Sequence, residues 1–232
     1  MRLNFLSKIF QHVPTLETQR LLFRAVKRTD LHDIYEYASN PATSEYLLWE
    51  PHKNLDYTRE FIELVISKYK SGEYSDWALV YKETGKMIGT CGFTRIDEEN
   101  SILEIGYVIN PKFWGKGIAT EAAERIIKFA FEELNINRIE AKFMFGNEAS
   151  LAVMKNNGMK FEGYQREAMF IKGKYKTIGI ASILKREYTL NKRYANMEWV
   201  LLTLFLLFFE NCKILLIEIL IMWYLTLEMW RK

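Results

Sequence analysis

The residues best suited to chemistry form one short turn, Trp114-Gly115-Lys116-Gly117-Ile118-Ala119-Thr120. It follows the apolar run 102–109 and an Asn110–Pro111 break, and it leads straight into a helical pattern. Glycines let a backbone approach an anion closely. The first amides of a helix have no internal partner and lie at the positive end of its dipole, so a phosphate would bind there without needing a lysine. Lys116 would add point-charge attraction. Taken alone, the two glycines equally suit a turn that merely requires positive φ. A dinucleotide fingerprint fits poorly: Thr120 stands where its third glycine belongs, and proline and aromatic residues separate strand from glycines.

Three further groups have the right types for acyl or proton transfer. Strand alternation over 102–109 puts Glu104, Gly106 and Val108 on one face, with Leu103 and Ile105 on the other. A carboxylate in such a run is a candidate general base, acting directly or through water; paired with a basic residue at a strand margin it would be structural. Asn147 and Ser150 open a short helical pattern, where both residue types also serve as caps. Trp49, Glu50 and His52 offer an aromatic wall, a carboxylate and a titratable group, which suit a cationic amine; a loop Trp anchored on the core is the alternative.

Composition narrows the rest. The 232 residues are 49% hydrophobic and 26% charged, ordinary globular material. Lys+Arg 32 against Asp+Glu 29 leaves +3, too balanced for a nucleic-acid footprint. Cys91 and Cys212, with His12, His32 and His52, are too few for a disulfide scaffold or a cysteine- or histidine-rich metal centre, so no metal is expected. A reducing, cytoplasmic setting follows. Cys91 alternates with apolar neighbours and reads as packed.

The elements that must position these groups are legible in the periodicity. A strand over 20–28 precedes a helix opened by Thr29–Asp30 and ended by Pro41; residues 41–54 form a loop; Asn54 caps a helix that stops at Gly72. Three short β-type runs over 76–109, joined by brief turns, predict an antiparallel meander. A helix follows the glycine turn, then a strand over 136–144, a helix closed by Gly158, and a strand pair around Gly173. The expected class is mixed α/β: a mostly antiparallel central sheet flanked by helices, in one domain over residues 14–188 after an amphipathic lead-in, 1–13.

The blocks EIGYVINPKFWGKGIATEA and GNEASLAVMKNNGMKFEG resemble the acetyl-coenzyme A-binding core of the GCN5-related N-acetyltransferase superfamily. The opening PTLETQRLLFRAVKRTDL, the loop WEPH and the closing REAMFIKGKY resemble the branch that includes the ribosomal-protein alanine N-acetyltransferases. The resemblance covers about four-fifths of the chain. It implies direct transfer of acetyl from acetyl-coenzyme A to a primary amine, such as a protein N-terminus. A fold of this type that holds acyl-coenzyme A without turnover is the alternative.

The resemblance also implies roles. The amides of Trp114, Gly115, Lys116, Gly117, Ile118, Ala119 and Thr120 would cradle the pyrophosphate, and amides near Val108 would bind the thioester carbonyl, whose oxygen gains charge during transfer. Asn147 would hold the pantetheine arm, Ser150 would protonate the departing thiolate, and Glu104 would be the base. Many relatives place a tyrosine acid seven residues after the asparagine; Met154 stands there in this chain. Some carry another carboxylate where Met169 falls, with Glu167 two residues earlier on the same expected face. Trp49, Glu50 and His52 would border the acceptor cleft.

The resemblance stops before the C-terminus. Residues 199–232 hold 25 hydrophobic residues among 34. Glu210, Lys213 and Glu218 interrupt any 20-residue span, and each charge opposes insertion by about 2.5–3.5 kcal/mol. The tail, 189–232, is therefore expected to be a helix or helix pair that docks on the domain, a partner chain or a membrane surface, or an extension without a role.

Overall fold

In the computed structural model, residues 12–73, 76–190 and 192 are described. The lead-in up to residue 11 and the hydrophobic stretch 199–232 lie outside them. The chain divides into a unit ending at Lys185 and a second, 186–232, of which residues 186–190 continue a helix begun at Lys185. No helix among the described residues is long and apolar enough to cross a membrane.

The described residues of the first unit carry eight strands and five α-helices. In chain order these are β1 (Leu16–Glu17), β2 (Leu21–Arg24), α1 (Leu31–Ala38), α2 (Pro41–Ser44), α3 (Leu55–Ser71), β3 (Asp76–Tyr81), β4 (Lys86–Asp97) and β5 (Ile102–Ile109), then α4 (Ile118–Glu132), β6 (Arg138–Met144), α5 (Glu148–Asn156), β7 (Lys160–Ile171) and β8 (Lys174–Leu184). One sheet runs β1-β2-β3-β4-β5-β6-β8-β7. Every neighbouring pair is antiparallel except β5 with β6. The mixed, mostly antiparallel architecture expected from the periodicity is thus present.

Two elements were hidden from periodicity. The two-residue β1 is too short to alternate. The loop after Pro41 begins with a single turn, α2, because Asn40 Oδ1 accepts from the Ala42 amide (3.0 Å) and Pro41 suits the first helical position.

Helices cover both faces of the sheet. On one, Ile34 and Tyr37 of α1 and Ile62, Val65 and Tyr69 of α3 pack with Ala78 and Met87. On the other, Trp77 meets Phe93 and Phe129 of α4 edge-on, with ring centres 5.7 and 5.8 Å apart. Strand alternation sends Trp77 to the α4 face and Ala78 to the α1–α3 face. Cys91 is fully buried and burial pushes its thiol up, which suits a packed residue.

Asp76 opens β3 on the same face as Ala78, and the Tyr69 hydroxyl donates to its carbonyl (2.5 Å). Burial pushes its carboxyl from an ordinary 3.8 up to about 6. The folded chain therefore holds this proton more tightly than the unfolded chain does. The penalty is absent below about pH 4, grows as pH rises to 6 and is constant above, reaching at most roughly 3 kcal/mol. Asp76→Asn should flatten that decline and raise the urea midpoint at pH 7.5, as read from unfolding curves collected between pH 4 and 8.

Candidate active site

β5 and β6 pair only over Ile102–Ile105 and Arg138–Ala141, after which the two parallel strands part. The Asn110 amide donates to Ile88 on β4 (2.7 Å), while the Ile109 carbonyl turns outward to accept the Trp114 indole (2.8 Å). By alternation along β5, the amides of Tyr107 and Ile109 open onto the splay and that of Val108 faces β4. Of the amides near Val108 expected to bind a carbonyl, those open to the splay are therefore its neighbours' and not its own. The Val108 side chain packs on the α1–α3 cluster.

At the far end of β5 the chain makes the glycine turn. Gly115 and Gly117 have φ of 70° and 74°, a region that penalises other residues, and Gly117 directly precedes α4. The amides of Gly115 through Thr120 meet no acceptor among the described residues. Lys116 lies over the Phe113 ring, 5.2 Å from its centre. A cavity of about 620 Å³ opens beside the turn, lined by Gly117 and Thr120 and by charges of both signs, Glu17, Glu121 and Glu124 with Arg125 and Lys128. Arg125 Nη1 is buried without a hydrogen-bond partner among the described residues. The Arg125 guanidinium is ion-paired through Nη2 with Glu133 (3.6 Å), so it is the free amides at the helix N-terminus that fit a phosphate-bearing ligand.

The turn is held by a contact that local pattern does not reveal. Glu121, in the first turn of α4, accepts from the Thr18 hydroxyl (2.5 Å), the Arg20 amide (2.9 Å) and Arg20 Nε (2.6 Å). Arg20 Nη1 in turn donates to the Lys116 carbonyl (2.8 Å). Burial alone would raise the Glu121 carboxyl, but these donors outweigh it and hold the group below its ordinary value. Glu121 thus stays charged at neutral pH and locks Arg20 onto the turn.

Glu104 projects from β5 on the α1–α3 face, as alternation requires. Its Oε1 accepts from the Thr94 hydroxyl (2.9 Å), and its Oε2 lies 2.6 Å from Lys142 Nζ on β6. The pairing with a basic residue, one of the two roles open to this carboxylate, is therefore made. Each oxygen keeps a second lone pair for a further donor. Thr94 reaches Glu104 because β4 is bulged between Phe93 and Arg95. Its methyl lies 2.7 Å from where a Cβ on Gly106 would be, so the floor beside Glu104 is open only to glycine.

On the opposite face, Asn147 Oδ1 caps α5 by accepting from the Ser150 amide (3.1 Å). The Ser150 hydroxyl lies 2.9 Å from the Tyr107 hydroxyl, which also donates to the Ser150 carbonyl (3.0 Å). Burial raises the Tyr107 phenol, keeping it protonated. Alternation with Leu103 and Ile105 already assigned Tyr107 to this face; its partner was not readable. Met154, in the place of a family tyrosine, is buried.

The loop residues divide. His52 is buried, its Nδ1 engaged with Thr58 Oγ1 (2.9 Å) and its ring caged by Trp49, Tyr57 and Phe61. Burial lowers its basicity, so it packs as a neutral ring and does not face an acceptor. Trp49 packs against the α1–α3 cluster. Glu50 remains exposed, 4.0 Å from Lys172 at the β7–β8 turn, and Lys172 Nζ donates to the Ser44 carbonyl (2.6 Å). Met169 packs with Tyr46 against Met144, Ile171 and Ile178. Simple alternation does not carry from Met169 to Glu167, because the ladder shifts between Gln165 and Met169 and Glu167 has φ of 52°.

A family model described as an acetyltransferase (GNAT) domain matches residues 20–160. The chain is 36% identical over 174 residues to the uncharacterized N-acetyltransferase p20 of Bacillus licheniformis, covering 75% of this chain and 98% of that protein. It is 38% identical over 104 residues to the putative ribosomal N-acetyltransferase YdaF of Bacillus subtilis, covering 45% and 57%. A crystal structure of a GNAT-family acetyltransferase from Bacillus anthracis superposes with a TM-score of 0.67 at 26% identity, over 75% of this chain and 99% of that one.

The clamp generates a measurable expectation. Glu121→Gln removes the charge that holds Arg20, so calorimetric affinity for coenzyme A should fall roughly tenfold, the worth of about one charge-assisted hydrogen bond. The far-UV spectrum should not change. Unaltered affinity would show that the turn is rigid without the clamp.

Proposed function

The chain belongs to the acetyltransferase (GNAT) family and is an acetyl-coenzyme A-dependent N-acetyltransferase, and from that premise we propose that it acetylates a primary amine at the β5–β6 splay, with a protein N-terminus as acceptor. The observation that carries the placement is the early parting of β5 and β6 beside the unsatisfied amides of Gly115–Thr120. Acetyl-coenzyme A supplies an acyl group already activated as a thioester. The chain's own residues do the rest.

The amides of Gly115 to Thr120 hold the phosphates, with Lys128 nearby; the Trp114 amide, expected among them, is instead spent on the Pro111 carbonyl (3.1 Å). Asn147 and the splayed strand edges hold the arm. The amides of Tyr107 and Ile109 point to where a carbonyl oxygen gains negative charge, and fixed donors are most effective there. Glu104 takes the proton of the incoming ammonium, directly or through water. Ser150 hands a proton to the leaving sulfur and is replenished from Tyr107, whose hydroxyl is within hydrogen-bond reach. Because Lys142 already balances the charge of Glu104, the splay favours an amine that arrives nearly neutral. A protein α-amine, with a pKa of about 7.7–8.0, needs less help than a lysine at about 10.4. The ribosomal-type relative supports the same class of acceptor.

Free thiol released from acetyl-coenzyme A should appear with N-terminal peptides of ribosomal proteins, and mass spectrometry should place one acetyl on the α-amine. Thiol release with polyamines alone would reassign the acceptor; coenzyme binding with no release on any amine would indicate a holding module. Glu104→Gln should lower turnover by about 10²-fold or more at low pH, with coenzyme affinity preserved. Ser150→Ala should cost less, since a thiolate leaves readily. Gly117→Val should abolish coenzyme binding in a folded protein, because a β-branched residue resists φ of 74°.

A further inference from the structure

We propose that Lys142 is itself an acceptor: with acetyl-coenzyme A bound and no external amine in the cleft, the chain acetylates its own Lys142 Nζ. The inference rests on the transferase reading above and on the position of one side chain.

The last paired residues of β5 and β6 are Ile105 and Ala141. Lys142 is the next residue of β6, so it stands at the apex of the splay, level with Gly106. Alternation turns Lys142 to the side of Glu104 and away from Ala141 and Phe143, which are buried on the other face. Its Nζ lies 2.6 Å from Glu104 Oε2, with both side chains largely withdrawn from solvent, at 30% and 14% exposure. An amine therefore already occupies the place where an acceptor would meet its base.

Reach is sufficient. The Tyr107 amide lies one residue beyond Gly106, about 3.3 Å along the strand, well within the swing of a four-carbon stem. Bound coenzyme would displace water from the splay and bring the thioester beside the paired Lys142 and Glu104. The step then balances. The Nζ proton passes to Glu104 Oε2, and the Nζ lone pair forms a C–N bond to the acetyl carbonyl carbon. The C–S bond breaks, its electrons leave on sulfur, and the thiolate takes up a second Nζ proton while Glu104 releases the first to solvent. Net, one acetyl-coenzyme A and one lysine ammonium give one acetyl-lysine, one free thiol and one proton. Acetylation removes the ammonium and leaves Glu104 with Thr94 alone.

The test uses the full chain incubated with acetyl-coenzyme A and no acceptor, followed by intact mass and peptide mapping, with calorimetry of coenzyme binding on the same preparation. A single acetyl group should map to Lys142, absent in Lys142→Arg and reduced by about 10²-fold in Glu104→Gln, while both variants bind acetyl-coenzyme A as the parent does. Lys142 acetylated no more than surface lysines, in a preparation that still acetylates an external amine, overturns the inference and leaves the transferase reading intact. Acetylation of Lys142 at an equal rate in Glu104→Gln would mark it as uncatalysed chemistry by the thioester, and likewise overturns it. Coenzyme binding without thiol release on any amine would overturn both.

Discussion

Two strands that part inside a sheet leave amides and carbonyls without the partners a buried backbone requires. Beyond Ile105 and Ala141, β5 and β6 are in that position, and the surrounding structure is arranged around the gap. β4 shields one edge of β5, through pairs that continue to Ile109. β8 does the same for β6 up to Met144. The inner edges face each other across a slot that an extended polar chain such as the pantetheine arm can fill by taking up both sets of hydrogen bonds. The ladder that a normal sheet would close is left open along this stretch.

Everything at the two ends of that slot is held from a distance. At the phosphate end, Arg20 and Glu121 fix the turn through charge-assisted bonds, and Lys112 with Asn110 tie its base to Glu36 on α1 (both contacts 2.9 Å). At the other end, Lys172 joins the β7–β8 turn to Ser44, the last residue of α2, and to Glu50 in the loop beyond it. Lys172 and Gly173 both have positive φ, the signature of a tight two-residue hairpin turn, so this strut starts from a rigid tip. Glu104 and Ser150, the groups proposed for proton transfer, lie on strand and helix, where packing limits their freedom.

Much of this was legible in the sequence because it is periodic or punctuated. The helix after Gly117, the meander over 76–109 and the shared face of Glu104, Gly106 and Val108 follow from spacing alone. The glycine turn was readable because positive φ and free helix amides have few sequence solutions. What escaped were partners across strands. Lys142 faces Glu104, Tyr107 finds Ser150 and Glu121 finds Arg20 through registers that local pattern does not encode. The bulges at Thr94 and around Glu167 interrupt alternation, so a shared face of Glu167 and Met169 does not follow from their spacing. His52 was misread for a related reason: a histidine in a polar loop looks available until α3 brings Thr58, Tyr57 and Phe61 around it.

The struts also set the order in which the molecule can be assembled. Arg20 and Glu121 are 101 residues apart in the chain, and Lys172 and Ser44 are 128 apart. Contacts of such separation carry the largest loop-closure entropy, so they form only when most of the sheet already exists to offset it. The phosphate turn and the acceptor wall are therefore late events on the folding route. An emerging chain on the ribosome holds no coenzyme until β8 has been added, and coenzyme that then binds stabilises the completed fold alone.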